Sequence, residues 1–78
     1  KSLMVANIDV AEFNVSPGAR ITRKPVKDLH LPGGCTLGGL VRKEQGILIN
    51  GHTQIQEGDH VVVFCHGNEL NKLGAFFS

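Results

Sequence analysis

The feature that most constrains the fold of this chain is a run of five apolar residues, VVVFC at 61–65, entered from the turn sequence EGD. Alternate residues of a strand point to opposite faces, so the odd-numbered residues of this run share one face, and Val62 and Phe64 share the other. A strand that is apolar on both faces is typical of the interior of a sheet. The sequence therefore predicts an interior strand at 59–66 whose two faces are both covered.

The length of the chain limits what can cover that strand. Its 78 residues have room for one domain, near the lower size at which a single core offsets the entropy of ordering the chain. Hydrophobic residues make up 41% of the chain and charged residues 19%, a composition that predicts a folded domain. A second copy is the economical way to cover the remaining face, so we expect a homodimer.

The segments before the interior strand predict a strand, a short helix and a hairpin. Alternating apolar residues indicate a strand at 10–15, and a helix opened by Pro25 is expected over 22–31. A strand follows at 35–42, and its paired glycines, Gly38 and Gly39, are typical of a bulge or a close backbone approach.

The segments that follow complete the predicted order. A loop at 42–46, with Gly46 as its left-handed residue, leads to a strand at 47–50. Asn68 is a suitable N-cap for a final helix with Leu70, Leu73 and Phe77 on one stripe and Gly74 weakening its end.

This β-α-β-β-β-α order predicts an α+β domain with an antiparallel or mixed sheet and helices on one side. The domain is placed at residues 9–78, and residues 1–8 are interpreted as a linker remnant. Because the chain does not begin with Met, we expect it to be a piece of a longer protein.

Charge and hydropathy argue against two classes of partner. The formal net charge is +1, and the basic residues cluster no further than RITRK at 20–24, so no nucleic-acid partner is expected. The longest apolar run has five residues against about 20 for a membrane span, so no direct membrane insertion is expected. The first ten residues also lack the pattern of a signal peptide.

The cysteines and histidines predict neither catalysis nor a metal site. Cys35 and Cys65 belong to no CxxC pair and are expected to be reduced thiols of an intracellular domain, with Cys65 buried and unreactive. His60 and His66 share a strand face but would lie about 20 Å apart, too far to share a metal. The prediction is therefore a protein that is not an enzyme, with no catalytic or metal-binding residues.

A polar group around the hairpin offers a candidate ligand site. Arg42, Lys43, Asn50 and His52 could receive an anionic or nucleobase-bearing ligand, and the alternative is a solvated hairpin. In the EGD sequence, Gly58 is expected to take the turn while Asp59 hydrogen-bonds the backbone at the entry to the strand.

The order and spacing of these segments resemble the RCK C-terminal domain family, also known as the TrkA-C domain. The resemblance covers nearly all of the chain after residue 8. It rests on VAEFNV, KPVKDLHLPGG, LGGLVRKEQGILINGHTQIQEGDHVVVF and ELNKLGAFF. Its most specific elements are KDLHLP before a strand that ends in Arg42, then IQEGDHVVVF and a closing Leu-rich helix.

The resemblance implies a cytoplasmic regulatory domain at the inner face of the cell membrane. Such a domain follows a nucleotide-binding Rossmann-type domain, pairs with its own copy and biases the activity of a membrane-embedded potassium transporter. Some relatives bind a cyclic dinucleotide at the dimer interface, and Arg42, Asn50 and His52 are then the candidate ligand-binding residues. NAD or an adenine nucleotide is expected only in the preceding domain, and no cofactor in this one.

Two alternatives to the sensing role remain open. The domain could be a pairing module without a ligand, or it could be attached to a different cation or anion transporter.

Overall fold

Four strands form one antiparallel sheet in which the last strand of the chain is central. The structure is a computed structural model that describes residues 8–66 and 69–78. The strand order is β1-β4-β2-β3, and every neighbouring pair is antiparallel. The strands are β1 Ile8–Asn14, β2 Cys35–Arg42, β3 Gln45–Ile47 and β4 His60–His66.

The predicted interior strand is confirmed as β4, which lies between β1 and β2. Its side chains at Val61, Val63 and Cys65 are completely buried and form the middle of the core. On its other face, Phe64 is still 39% exposed. One chain therefore covers one face of β4 and leaves the other partly open.

The bounds of the outer strands differ from the predicted ones. β1 begins at Ile8, which pairs with His66, so the predicted boundary after residue 8 falls inside a strand. The other residues of the predicted linker remnant, 1–7, lie outside the described residues, as does the predicted N-cap Asn68. β3 covers Gln45–Ile47, earlier than the predicted 47–50.

Two 3-10 turns, Arg20–Thr22 and Val26–Asp28, replace the helix predicted over 22–31. Pro25 has an extended backbone with ψ 159° and acts as the N-cap rather than as the first helical residue. The N–H groups that follow are taken by a neighbouring loop, since Val26 donates to the carbonyl of Thr53 and Lys27 to that of Gly51. The turn ends at Leu29, which has an extended backbone with ψ 139°, and the two hydrogen bonds attach the turn to the connection from β3 to β4.

The final helical segment closes the core side of the sheet. It consists of a 3-10 turn at Glu69–Lys72 and one α-helical turn, α1, at Gly74–Phe77. The predicted apolar stripe is present, because Leu73 and Phe77 are buried and Leu70 is partly buried. The ring of Phe77 stacks on that of Phe13 with centroids 4.5 Å apart, which holds the end of the chain against β1.

The β2–β3 hairpin has a two-residue loop with a left-handed backbone. Arg42 pairs with Gln45, so Lys43 and Glu44 form the loop, with φ of 51° and 66°. The prediction that Gly46 takes the left-handed position is wrong, since Gly46 lies within β3. Two-residue hairpin loops of this type need positive φ at both loop positions, which favours Asn and Gly over Lys and Glu.

We predict that Glu44→Gly stabilises the domain. Glycine removes the contact between Cβ and backbone that disfavours a left-handed conformation, and the expected gain in the free energy of unfolding is roughly 0.5–1 kcal/mol. Urea unfolding measures the change. The control is Gln45→Gly, one residue later in an extended strand, which should lower stability by a similar amount; a loss of stability in Glu44→Gly contradicts the prediction.

The two cysteines form a disulfide between the central strands. Cys35 of β2 and Cys65 of β4 are direct partners in the antiparallel register, with their Cα atoms 4.1 Å apart. The prediction of two reduced thiols is therefore wrong. The error arose because sequence spacing alone cannot show that two cysteines 30 positions apart meet at the same point of a sheet.

We predict that reduction of this disulfide lowers stability without changing the fold. Opening a cross-link that spans 30 residues restores chain entropy to the unfolded state, by about 3–4 kcal/mol in the chain-entropy model. Urea unfolding with and without a thiol reductant measures the loss. The double variant Cys35→Ser, Cys65→Ser should match the reduced protein and should not respond to reductant, and equal stability of oxidised and reduced protein would overturn the prediction.

Candidate functional site

The sheet face turned away from the core exposes several apolar side chains, with the polar residues Glu12, Asn14 and His60 beside them. Its cross-strand register places Val10 beside Phe64 and Gly39 beside Val62. Leu48, just after β3, is 86% exposed. Contiguous apolar surface of this kind marks an interaction site more often than isolated exposed residues do. We call this surface the open face, and its large apolar side chains are Val10, Val41, Leu48, Val62 and Phe64.

The paired glycines shape the middle of the open face. The predicted irregularity is present as a register shift between Leu37 and Gly39, with Gly38 as the extra residue. The ring of Phe64 lies over Gly38, where a Cβ atom would overlap it. Glycine is therefore needed at this position because an aromatic side chain from the neighbouring strand occupies the space.

A shallow apolar cavity of about 290 Å³ lies between β2 and β3 on this side of the sheet. Gly39 and Gly46 leave the depression because they have no side chains, and Val41, Leu48 and Val62 form its walls. Its lining is almost entirely hydrocarbon, so it suits an apolar side chain of a partner better than a charged ligand.

The structure gives Arg42 a partner that the sequence analysis missed. Its Nε donates to Oδ1 of Asp59 at 2.9 Å and its Nη2 to Oδ2 at 2.8 Å, a bidentate ion pair. Nη2 also donates to the carbonyl of Gln54 at 3.1 Å. Arg42 therefore connects the end of β2 to the residue that precedes β4.

Asn50 and His52 lie together on the connection from β3 to β4. Oδ1 of Asn50 accepts a hydrogen bond from the backbone N–H of His52 at 2.7 Å, and both side chains are exposed. The Asn50 N–H donates to the hydroxyl of Thr53, which completes a tight turn. The structure thus brings Asn50 and His52 together and directs Arg42 to Asp59, and ligand binding by the three residues stays a prediction.

Asp59 has the role predicted for it and an additional one. The turn residue Gly58 has φ 86°, and Oδ2 of Asp59 accepts the N–H of Gln56 at 2.9 Å, as expected for a residue at the entry to a strand. Its pairing with Arg42 follows from the register of β2 against β4, which the sequence pattern does not give. Leu40 pairs with Val61, and the next same-face residues toward that end of the sheet are Arg42 and Asp59.

The ion pair controls the ionisation of a buried carboxylate. The hydrogen bonds from Arg42 hold the pKa of Asp59 below its ordinary value of 3.8, against the opposing effect of burial, and the Gln56 N–H acts in the same direction. Asp59 also raises the pKa of Arg42. Since the lower pKa belongs to the folded state, this contribution to stability is present above 3.8 and is lost as the pH falls through the pKa of the folded carboxyl group.

We predict that Arg42→Ala destabilises the domain by about 3–5 kcal/mol, because it leaves a carboxylate that is 1% exposed without its counter-charge. In Asp59→Asn, the loss of stability as the pH falls below 3.8 should be reduced, since the group that titrates is gone. Urea unfolding as a function of pH measures both. Glu57→Gln removes an exposed carboxylate two residues away and should keep the wild-type pH profile; an unchanged acid profile in Asp59→Asn contradicts the assignment.

Within residues 8–66 and 69–78, no three His, Cys, Asp or Glu side chains come together as a metal-binding group. No helix in those same ranges is long and apolar enough to cross a bilayer.

Comparison with known proteins places the fold in a class and the sequence in a family. A solved structure described as an RCK domain with cda superposes with a TM-score of 0.76 at 16% identity, covering 88% of this chain and 97% of that one. The fold is therefore that of a small α+β RCK domain. The family model of the TrkA-C domain matches residues 10–78, and the chain belongs to the TrkA-C domain family.

The curated relatives are potassium uptake proteins. Trk system potassium uptake protein TrkA homolog 1 of Methanosarcina mazei is 28% identical over 69 residues, which is 88% of this chain. Trk system potassium uptake protein TrkA of Vibrio alginolyticus is 35% identical over 46 residues, or 59% of the chain. The chain spans only 15% and 10% of the lengths of these two relatives, so it corresponds to a single domain of them.

Proposed function

We propose that this domain is the regulatory, self-pairing module of a potassium uptake protein, and that it pairs through the open face. The observation that carries the proposal is the exposed apolar surface on a sheet whose opposite side is fully packed. Membership of the TrkA-C family supports the transport context.

A second copy of the chain suits the open face because a two-fold axis buries the same patch on both copies. The exposed side chain of Leu48 and the apolar cavity beside it provide a protrusion and a depression on one surface. Insertion of Leu48 of each copy into the cavity of the other would bury both without any change in the fold. The preceding domain of a longer chain is the competing occupant.

The proposal includes a ligand that biases the paired state. The candidate is a cyclic dinucleotide bound by Arg42, Asn50 and His52, and the structural relative described as an RCK domain with cda supports a bound small molecule in this fold. Asn50 and His52 would supply an amide and an imidazole from an exposed turn. Arg42, whose charge is paired with Asp59, would offer only the N–H groups that Asp59 and Gln54 do not take. A pairing module without a ligand is the alternative.

In the complete subunit, we propose that pairing relays a signal to a membrane-embedded potassium transporter from the cytoplasmic side. A preceding Rossmann-type domain would then hold the NAD or adenine nucleotide. A different cation or anion transporter is the alternative partner. The sequence upstream of Lys1 distinguishes them, since a Rossmann-type pattern favours the first and membrane spans favour the second.

We predict that Leu48→Lys and Val41→Lys convert a dimer into a monomer while the domain stays folded. Each substitution places a charge in the apolar contact between copies. Because Leu48 is 86% exposed, its side chain contributes little to the stability of the isolated domain. Light scattering coupled to size exclusion, at several concentrations, measures the mass. Asn71→Lys adds the same charge at an exposed residue of the helical side and should stay dimeric. A wild-type chain that is monomeric at all concentrations contradicts pairing. That result would favour the preceding domain of a longer chain as the partner that covers the open face.

Native mass spectrometry with a panel of cyclic dinucleotides tests the ligand. A dimer that gains the mass of one dinucleotide, and loses this capacity in the double variant Asn50→Ala, His52→Ala, supports the sensing role. A dimer that gains nothing supports the ligand-free pairing module.

A further inference from the structure

A second cavity lies on the helical side of the sheet, between the β1–β2 connection and α1, and has a volume of about 240 Å³. None of Arg42, Asn50 and His52 contributes to it, and it is separate from the open face. We call it the basic pocket, and it is lined by Arg20, Arg23, Lys24, Asp28, Leu29, His30 and Phe76.

The basic pocket concentrates positive charge in a nearly neutral chain. Its lining contains three Lys and Arg residues and one Asp, a net charge of +2 with His30 neutral, whereas the whole chain carries +1. The cations Arg20, Arg23 and Lys24 have no ion pair with any residue of the described ranges. Three uncompensated cations around one cavity create a local potential that attracts anions.

Two of these cations are held in place before any ligand arrives. The guanidinium carbon of Arg20 lies 4.3 Å from the centroid of the Phe76 ring, and Phe76 is only 8% exposed. Nη2 of Arg23 donates to the carbonyl of Gly18 at 3.2 Å. The ring contact restricts the position of the Arg20 guanidinium, whose planar set of N–H donors matches the oxygens of a phosphate or carboxylate. Ordering them in advance reduces the entropy lost on binding.

The size and lining of the basic pocket indicate which class of ligand it can bind. A phosphomonoester carries between 1.5 and 2 negative charges at about neutral pH, which matches the net charge of the lining. The partly buried side chain of Leu29 adds an apolar wall, and the volume is below the range of about 300–1,000 Å³ typical of drug-sized ligands. Asp28 on the rim disfavours larger polyanions.

We propose that the basic pocket binds a small phosphomonoester, with its phosphate on Arg20, Arg23 and Lys24 and its organic part against Leu29. The site is independent of pairing through the open face, because its residues come from the opposite side of the sheet. Binding there would fasten the β1–β2 connection to α1, two segments that are otherwise joined across this cavity by the Arg20–Phe76 contact.

The test is an NMR titration of the ¹⁵N-labelled chain with phenyl phosphate. Inorganic phosphate and phenol are titrated separately as comparison probes. For phenyl phosphate, we expect saturable changes in the backbone amide chemical shifts of Leu29, His30 and Phe76. Inorganic phosphate should bind more weakly, and phenol should not bind. Lys24→Gln and Arg23→Gln should each weaken phenyl phosphate roughly tenfold, as expected for loss of one charge-assisted contact. Arg20→Lys, which keeps the charge but loses the planar fork, should also weaken it.

Lys27→Gln is the matched control, since Lys27 is exposed and lies three residues from Lys24 but outside the basic pocket. It should bind phenyl phosphate as the wild type does. Equal weakening by Lys24→Gln and Lys27→Gln would show general attraction to a basic surface and overturn the site. Equal affinity for inorganic phosphate and phenyl phosphate would contradict the proposed contact between Leu29 and the organic part of the ligand. The absence of a saturable chemical-shift change with any probe would refute the proposal.

Discussion

Burial of one face of β4 is the interaction on which the rest of the domain depends. Val61, Val63 and Cys65 are completely enclosed, and every other element contacts them or supports an element that does. Because β1 pairs with one edge of β4 and β2 with the other, the backbone of β4 is hydrogen-bonded on both sides. The loss of a side chain from this strand would therefore disturb both halves of the sheet together.

The helical layer of this domain is built from short turns and depends on tertiary contacts. In the part of the chain that the structure describes, three 3-10 turns and one α-helical turn cover the core side, and segments this short have almost no stability in isolation. They are held by backbone hydrogen bonds to neighbouring loops, by the Phe13–Phe77 stack and by the Arg20–Phe76 contact. The two proposed binding surfaces lie on opposite sides of this arrangement, one on the bare sheet and one among the turns.

The sequence predicted the strands well because their signal is local. Alternation of apolar residues identified β1, the strand predicted at 35–42 is present as β2, and the unbroken apolar run identified β4 as interior. The helix over 22–31 was predicted wrongly because the backbone becomes extended at Leu29, which limits the helical segment to one 3-10 turn after Pro25. The Cys35–Cys65 bond and the Arg42–Asp59 pair were missed for a related reason, since both depend on which strands become neighbours. The basic pocket was also missed as a site, because RITRK shows a short basic stretch but not the Phe76 ring that meets it.

The position of β4 in the sheet also determines the order in which the domain can fold. The residues of β1 pair with residues of β4 that lie 46 to 58 positions later in the chain, so β1 has no strand partner until β4 is available. Among the four described strands, only β2 and β3 form a hairpin closed by two residues, which can form early from local sequence. During synthesis, the apolar residues of β1 and β2 therefore cannot be buried against β4 until the last quarter of the chain has been made. Topologies dominated by such distant pairing fold slowly for their size.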